Sequence, residues 1–181
     1  MLQTLITTPY RKTVLRDAEA DYLFMRLGPE QRHNGVGVLV VDQSKNILMT
    51  YAARIPLSQQ CLEIPRGGKE VDETAVAAAV REVQEETGLT LSLDLLVSLG
   101  DMHPDSSTLR SRTQLFMAQL DIDFASLQDC LVPQEGEVDQ LMVIPWKRLL
   151  EMAESGEITD SFTLVAILRA RRHLEREIAK S

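Results

Sequence analysis

The run Val36-Gly37-Val38-Leu39-Val40-Val41 carries no charge and no polar side chain. Such a run reads as a buried strand, because it offers neither face to water. It is far short of the ~20 apolar residues of a membrane span, and no other stretch approaches that length. Whatever the chain folds into must therefore be built around this strand. Ser44-Lys45-Asn46 reads as a turn and Ile47 to Tyr51 as the returning strand. Cys61-Leu62-Glu63-Ile64 reads as a further short strand stopped by Pro65.

The next segment changes period. Val76, Val80 and Val83 recur at spacings of four and three, and Ala77 to Ala79 raise helix propensity, so a helix is expected over 72–87. Gly88 ends it as a C′ glycine. Strands are expected near 95–99 and 115–120, a longer loop at 125–137, and a last strand at 142–144. Helices are expected at 146–154, ended by Gly156, and at 161–179. Strands and helices interleaved around one core predict an α/β/α layered domain. Ahead of it, residues 1–33 read as a few short strands: Thr13-Val14-Leu15 and Tyr22-Leu23-Phe24-Met25 are β-prone, an acidic stretch from Asp17 to Asp21 separates them, and Gly28-Pro29 closes them.

At 181 residues the chain suits one domain, and its 44% hydrophobic content is enough for a sizeable core. Only 4% is aromatic, so that core must be mostly aliphatic. The formal net charge of −8 argues against a nucleic-acid partner, since no basic surface dominates to release phosphate counterions. Cys61 and Cys130 make neither a disulfide framework nor a zinc site and are expected to be reduced and buried. His33, His103 and His173 have no partner at ligand spacing, although His103 could reach a pocket. The start of the chain lacks the apolar core and cleavage site of a signal peptide, so a cytoplasmic protein with no membrane partner is expected.

The helix over 72–87 carries an electrostatic problem. Glu82, Glu85 and Glu86 stand at i, i+3 and i+4, so their carboxylates share one face. Like charges at those spacings repel by roughly 0.2–0.5 kcal/mol per pair. They also crowd the C-terminal turns, where the macrodipole favours cations. Arg81 is the only base in the helix, and nothing else in the local pattern offsets the three charges. A divalent cation would reverse each of these terms, and clustered oxygen donors suit Mg²⁺ or Mn²⁺. The alternative is a solvated acidic face. Gly67-Gly68, directly before the helix, makes a loop that lets backbone approach a ligand.

This segment resembles the signature of the Nudix hydrolases, G-x5-E-x7-R-E-U-x-E-E-x-G-U with U aliphatic. Gly67, Glu73, Arg81, Glu82, Val83, Glu85, Glu86, Gly88 and Leu89 fill every defined position. The resemblance implies a mixed sheet between helices over 34–181. It implies Glu82, Glu85 and Glu86 as metal-binding, catalytic carboxylates and the Arg66 backbone carbonyl as a further ligand to Mg²⁺, with Mn²⁺ an alternative. Arg81 would orient a carboxylate, and Glu73 would hold the loop–helix geometry.

The loop acids Glu135 and Glu137 resemble an acidic loop of the ADP-ribose hydrolases in this family. That likeness implies Glu135 as general base and Glu137 as one more ligand; two exposed loop acids are the alternative. Pro104, fifteen residues past Leu89, and the tail Ser155-Gly-Glu-Ile-Thr-Asp160 before a long helix resemble the same branch. Arg54 occupies the place of an arginine that contacts substrate phosphate there, and a guanidinium suits that task. Glu63 matches an acid that helps hold the nucleotide, or else pairs with Arg54.

Two departures stand out. Arg66 replaces a common alanine, where its cation could touch a phosphate or alter the pocket, and Val71-Asp72 lacks a common glycine. The implied activity is hydrolysis of the pyrophosphate bond of ADP-ribose or a similar nucleoside diphosphate sugar. GDP-mannose, dinucleoside polyphosphates and a non-catalytic nucleotide-sugar-binding module are the alternatives. Members of that branch pair through N-terminal strands, so a homodimer using residues 1–33 is implied.

Overall fold

A computed structural model of the chain describes residues 2–7, 12–17, 22–27, 35–54, 57–127, 131–133 and 138–178. The apolar run forms β4 (Gly35–Val41), preceded by β1 (Leu2–Thr7), β2 (Lys12–Asp17) and β3 (Tyr22–Leu27). After it come β5 (Asn46–Arg54), β6 (Gln59–Glu63), β7 (Arg66–Gly68) and helix α1 (Ala75–Thr87). The rest of the chain supplies β8 (Leu96–Met102), β9 (Leu109–Arg110), β10 (Thr113–Gln119), β11 (Gln140–Pro145), α2 (Trp146–Ser155) and α3 (Ser161–Ile178).

The larger sheet runs β11-β5-β4-β10-β8, with β6 added to β5 and β7 to β4. The β4–β10 pairing is parallel and its neighbours are antiparallel, so the sheet is mixed. Every residue of β4 is buried. Its side chains alternate: Leu39 and Val41 enter a core shared with Leu149, Ala166, Ala170 and Leu174 of α2 and α3. Val36, Val38 and Val40 enter a second core with Ala78, Ala79 and Val83 of α1. The charge-free run is thus explained by helices on both faces, and the expected α/β/α layering holds. None of the described helices is long and apolar enough to cross a membrane.

Several boundaries differ from expectation. The helix begins at Ala75 rather than 72, because Asp72 takes a left-handed φ of 64° and Thr74 caps the helix, its hydroxyl accepting from the Ala77 N–H at 3.1 Å. Gly67 and Gly68 lie in a three-residue strand paired with β4 rather than in a free loop. The N-terminal segment has a strand, β1, that its sequence did not signal, and β1, β2 and β3 pair antiparallel in order. They are joined by β9 from the main domain, parallel to β3 through Met25 opposite Leu109 and Arg26 opposite Arg110. Cys61 is buried and free, as expected, while Cys130 and His33 lie outside the described residues.

Candidate active site

The register places one end of the sheet beneath the acidic helix. Gly68 is opposite Gly35, Gly35 is opposite Thr113, and Thr113 is opposite Met102, so β7, β4, β10 and β8 finish level. His103 and Pro104 follow Met102 at that same end; His103 is exposed, its Nδ1 2.9 Å from the Ser111 carbonyl.

Helix α1 lies against β7 and is tied to it by Arg81. The guanidinium donates from Nε to Glu73 Oε1 at 3.0 Å and from Nη2 to Glu73 Oε2 at 3.1 Å and to the Gly68 carbonyl at 2.8 Å. Its Nη1 is 2.6 Å from Glu85 Oε2 and 2.9 Å from Glu82 Oε1. Five contacts on three carboxylates and a carbonyl use the whole fork, which a lysine could not do. Glu73 in turn accepts the Glu70 N–H at 3.0 Å, closing the turn before the helix. Its bonds to Arg81 hold its carboxyl below the usual range, and Arg81 is raised further by Glu73 first of all. The repulsion read from the sequence is therefore partly offset within the helix itself, a compensation that the expectation of an unrelieved acidic face missed.

Glu82 and Glu86 behave differently from Glu85. Both are buried, at 8% and 7% exposure, while Glu85 is half-buried. Glu86 Oε2 accepts the Arg66 N–H at 3.0 Å. Burial pushes the Glu86 carboxyl up to about 8; the Arg66 N–H and the charges of Arg54 and Arg66 oppose that rise, and the charge of Glu82 adds to it. The Glu82 carboxylate fills the space where a Gly67 side chain would stand.

A pair of buried carboxylates set against the backbone of Arg66 and Gly67 is an all-oxygen donor set of the kind hard divalent cations take. Among the described residues no three His, Cys, Asp or Glu side chains form a cage, and Arg81 engages Glu85 and one oxygen of Glu82. One or two carboxylates completed by substrate phosphate and water is the usual arrangement for Mg²⁺, and the residues present fit it. Glu135 and Glu137 lie outside the described residues.

A second cluster adjoins this one. Glu63 is 1% exposed, and its carboxylate receives Arg54 Nε at 2.9 Å, Arg54 Nη2 at 2.6 Å and Arg66 Nη2 at 2.8 Å. Of the two roles open to Glu63, the geometry brings it to Arg54. The Arg66 guanidinium lies over the Phe162 ring at 4.4 Å and reaches Asp160 Oδ1 at 3.4 Å. Asp160 caps α3 through the Thr163 N–H and hydroxyl, both at 2.8 Å, and Thr163 Oγ1 accepts the Ile64 N–H at 3.0 Å. The sequence reading passed over Lys69, which is buried with its Nζ 2.6 Å from the Glu73 carbonyl, and Thr163. An Asp-x-x-Thr pattern ahead of an apolar helix is a capping signal that could have found the latter.

A model of the NUDIX domain family matches residues 31–162, well over half of the chain. The chain is similar to an ADP-ribose pyrophosphatase of Bacillus subtilis (strain 168), 29% identical over 137 residues that span 75% of this chain and 71% of that protein. It is also similar to a methanol dehydrogenase activator of Bacillus methanolicus, 26% identical over 138 residues, 75% of this chain and 71% of that one. Among solved structures, that of an ADP compounds hydrolase superposes with a TM-score of 0.69 at 17% identity, over 98% of this chain and 93% of the other, a likeness of fold. With the signature positions folded around one buried carboxylate pair, the chain belongs to the Nudix family, as a pyrophosphohydrolase similar to those of its ADP-ribose branch.

Proposed function

We propose that this protein hydrolyses the diphosphate bond of ADP-ribose or a similar nucleoside diphosphate sugar, giving a nucleoside monophosphate and a sugar phosphate. The observation that carries the reading is the buried Glu82–Glu86 pair set against Gly67, with Arg81 fixing the acids around it. In the reaction, a water oxygen bonds to one phosphorus, the bridging P–O bond breaks, and the bridging oxygen leaves with the other phosphate. A proton is released to the site.

A divalent cation, Mg²⁺ or Mn²⁺, would neutralise the diphosphate and favour attack by water. Glu82, Glu86 and the Arg66 carbonyl would hold it, with Glu85 and Glu137 beside them. Arg81 holds Glu85 and Glu73 in place, and Glu73 ties the turn to the helix. Gly67 leaves room for Glu82, and Gly88, at φ 76°, ends α1 two residues after Glu86. Glu135 is proposed as the base that takes the proton and Arg54 as the cation that meets a substrate phosphate. The loop carrying Pro104 would border the sugar side. The similarity to an ADP-ribose pyrophosphatase supports the substrate class.

Turnover of a panel comprising ADP-ribose, GDP-mannose, a dinucleoside polyphosphate and nucleoside triphosphates with Mg²⁺ tests this. Activity confined to triphosphates would refute it. Glu85→Gln should lose turnover by ~10–100-fold or more while the fold persists. A homodimer through the β1–β3 sheet is a further part of the proposal, supported by a small sheet that has few strands of its own to cover it. A sedimenting monomer at micromolar concentration would overturn that. A cytoplasmic location is proposed on cysteine usage alone, two cysteines without a pairing framework, and cell fractionation checks it.

A further inference from the structure

We infer that Arg66 is a positioning residue for the phosphate-binding side of this site, acting through Glu63 on Arg54. The inference rests on the hydrolase reading above and names a residue whose side chain that reading leaves without a task. Glu63 is nearly inaccessible to water, and an ionised carboxylate at that depth requires matched charge and full hydrogen bonding. Arg54 meets it with a two-pronged contact, and Arg66 adds a third donor at Oε2, the same oxygen that Arg54 Nη2 uses. The Glu63 carboxylate is thereby fixed from two sides, and with it the plane of Arg54.

Arg66 is itself fixed from three directions. Its guanidinium stacks on Phe162, and its Nη2 is shared between Glu63 and Asp160. Its own backbone N–H holds Glu86. Asp160 is bound in turn to Thr163, and Thr163 to the backbone of Ile64 next to Glu63. The ring of contacts closes on itself across β6, β7 and the start of α3. One residue therefore touches the proposed metal-binding acid Glu86 with its backbone and, with its side chain, the Glu63 carboxylate that holds the proposed phosphate-binding Arg54. A planar guanidinium can stack on a ring while its Nη2 meets two carboxylates, whereas an ammonium has no plane to stack. An alanine here would leave Arg54 alone on Glu63 and free to rotate with it.

A brace that merely stabilises the fold would lower the melting temperature and leave substrate affinity alone. The two cases separate in a mutant cycle of Arg66→Met, Arg54→Ala and the double variant, assayed with ADP-ribose at saturating Mg²⁺. Arg66→Met, which keeps an aliphatic stem over Phe162, is expected to raise KM about tenfold with kcat held within about threefold. The double variant is expected to match Arg54→Ala alone within about twofold, because both changes act on one element. Arg66→Lys guards against a folding failure: it retains charge and stem and is expected to melt near wild type without recovering KM.

An unchanged KM in Arg66→Met or Arg66→Lys overturns the inference, as do effects of Arg66→Met and Arg54→Ala that multiply. If the wild-type protein turned over none of the nucleotides, the hydrolase proposal would be lost. The same cycle would then be read from the calorimetric Kd for ADP with Mg²⁺, and an unchanged Kd in Arg66→Met would overturn the coupling.

Discussion

Gly67 stands so close to the carboxylate of Glu82 that a methyl group on its α-carbon would overlap that carboxylate. The glycine is required by proximity, not by a left-handed backbone. This separates two effects of a substitution. The group in the way is the end of a flexible side chain, which can swing aside at small cost to the fold. The buried carboxylate pair cannot survive that swing. Gly67→Ala is therefore expected to melt within about 2–4 °C of wild type, a change on the order of 1 kcal/mol in a chain of this size. It should nevertheless lose Mn²⁺ affinity and turnover by ~10–100-fold. Calorimetry and a turnover assay on the same preparation check it; retained metal affinity would mean that Glu82 is not a ligand.

Arg81 offers the complementary case. It contacts Glu73, Glu82, Glu85 and the Gly68 carbonyl at 2.6–3.1 Å, so one side chain joins β7, the turn at 70–74 and α1. Lysine would keep the charge and lose most of those bonds. Arg81→Lys is expected to reduce kcat/KM by ~10–100-fold, the usual effect of disturbing groups that orient metal-site carboxylates. It should also lower the melting temperature, since Glu73 would lose its paired donor. Wild-type kinetics in this variant would show that charge alone is needed at position 81.

How far the sequence could be read depended on the range of the interactions. The charge-free run of β4 and the three-and-four spacing of Val76, Val80 and Val83 are local, and both survive in the two cores. The αL turn at Asp72 carried no glycine to announce it, so the helix was expected three residues early. Arg81 was legible as a base among acids, but not its simultaneous grip on three carboxylates, because Glu73 and Gly68 reach it only after the chain folds back. The Thr163 bond to Ile64 spans 99 residues and leaves no periodic trace. Nor does the pairing of β9 with β3, which depends on where a loop over 103–112 comes to rest. Arg66 was visible as a departure from the family pattern; its partners Glu63, Asp160 and Phe162 were not.

Glu86 supplies a prediction that does not depend on turnover. Burial raises its carboxyl from an ordinary value near 4.5 to about 8 in the metal-free protein. Between those two values the folded chain keeps a proton that the unfolded chain has released, so stability falls as pH rises through that window. Below about 4.5 both states hold the proton, and the carboxyl contributes no pH dependence. Glu86→Gln removes the titration while preserving the shape of the protonated acid. In the presence of a chelator, Glu86→Gln is expected to melt close to wild type at pH 5 and several degrees above it at pH 8.5, as about 1 kcal/mol moves the midpoint by ~2–4 °C in a chain of this length. Saturating Mg²⁺ should reverse the order at pH 8.5, because the charged acid is then the form that binds and the ligand stabilises only the wild type. Thermal unfolding at both pH values, with and without metal, measures all four states. A constant offset between the two proteins across pH would show that the Glu86 carboxyl is charged in the folded chain throughout, and that Arg54, Arg66 and the Arg66 N–H outweigh its burial.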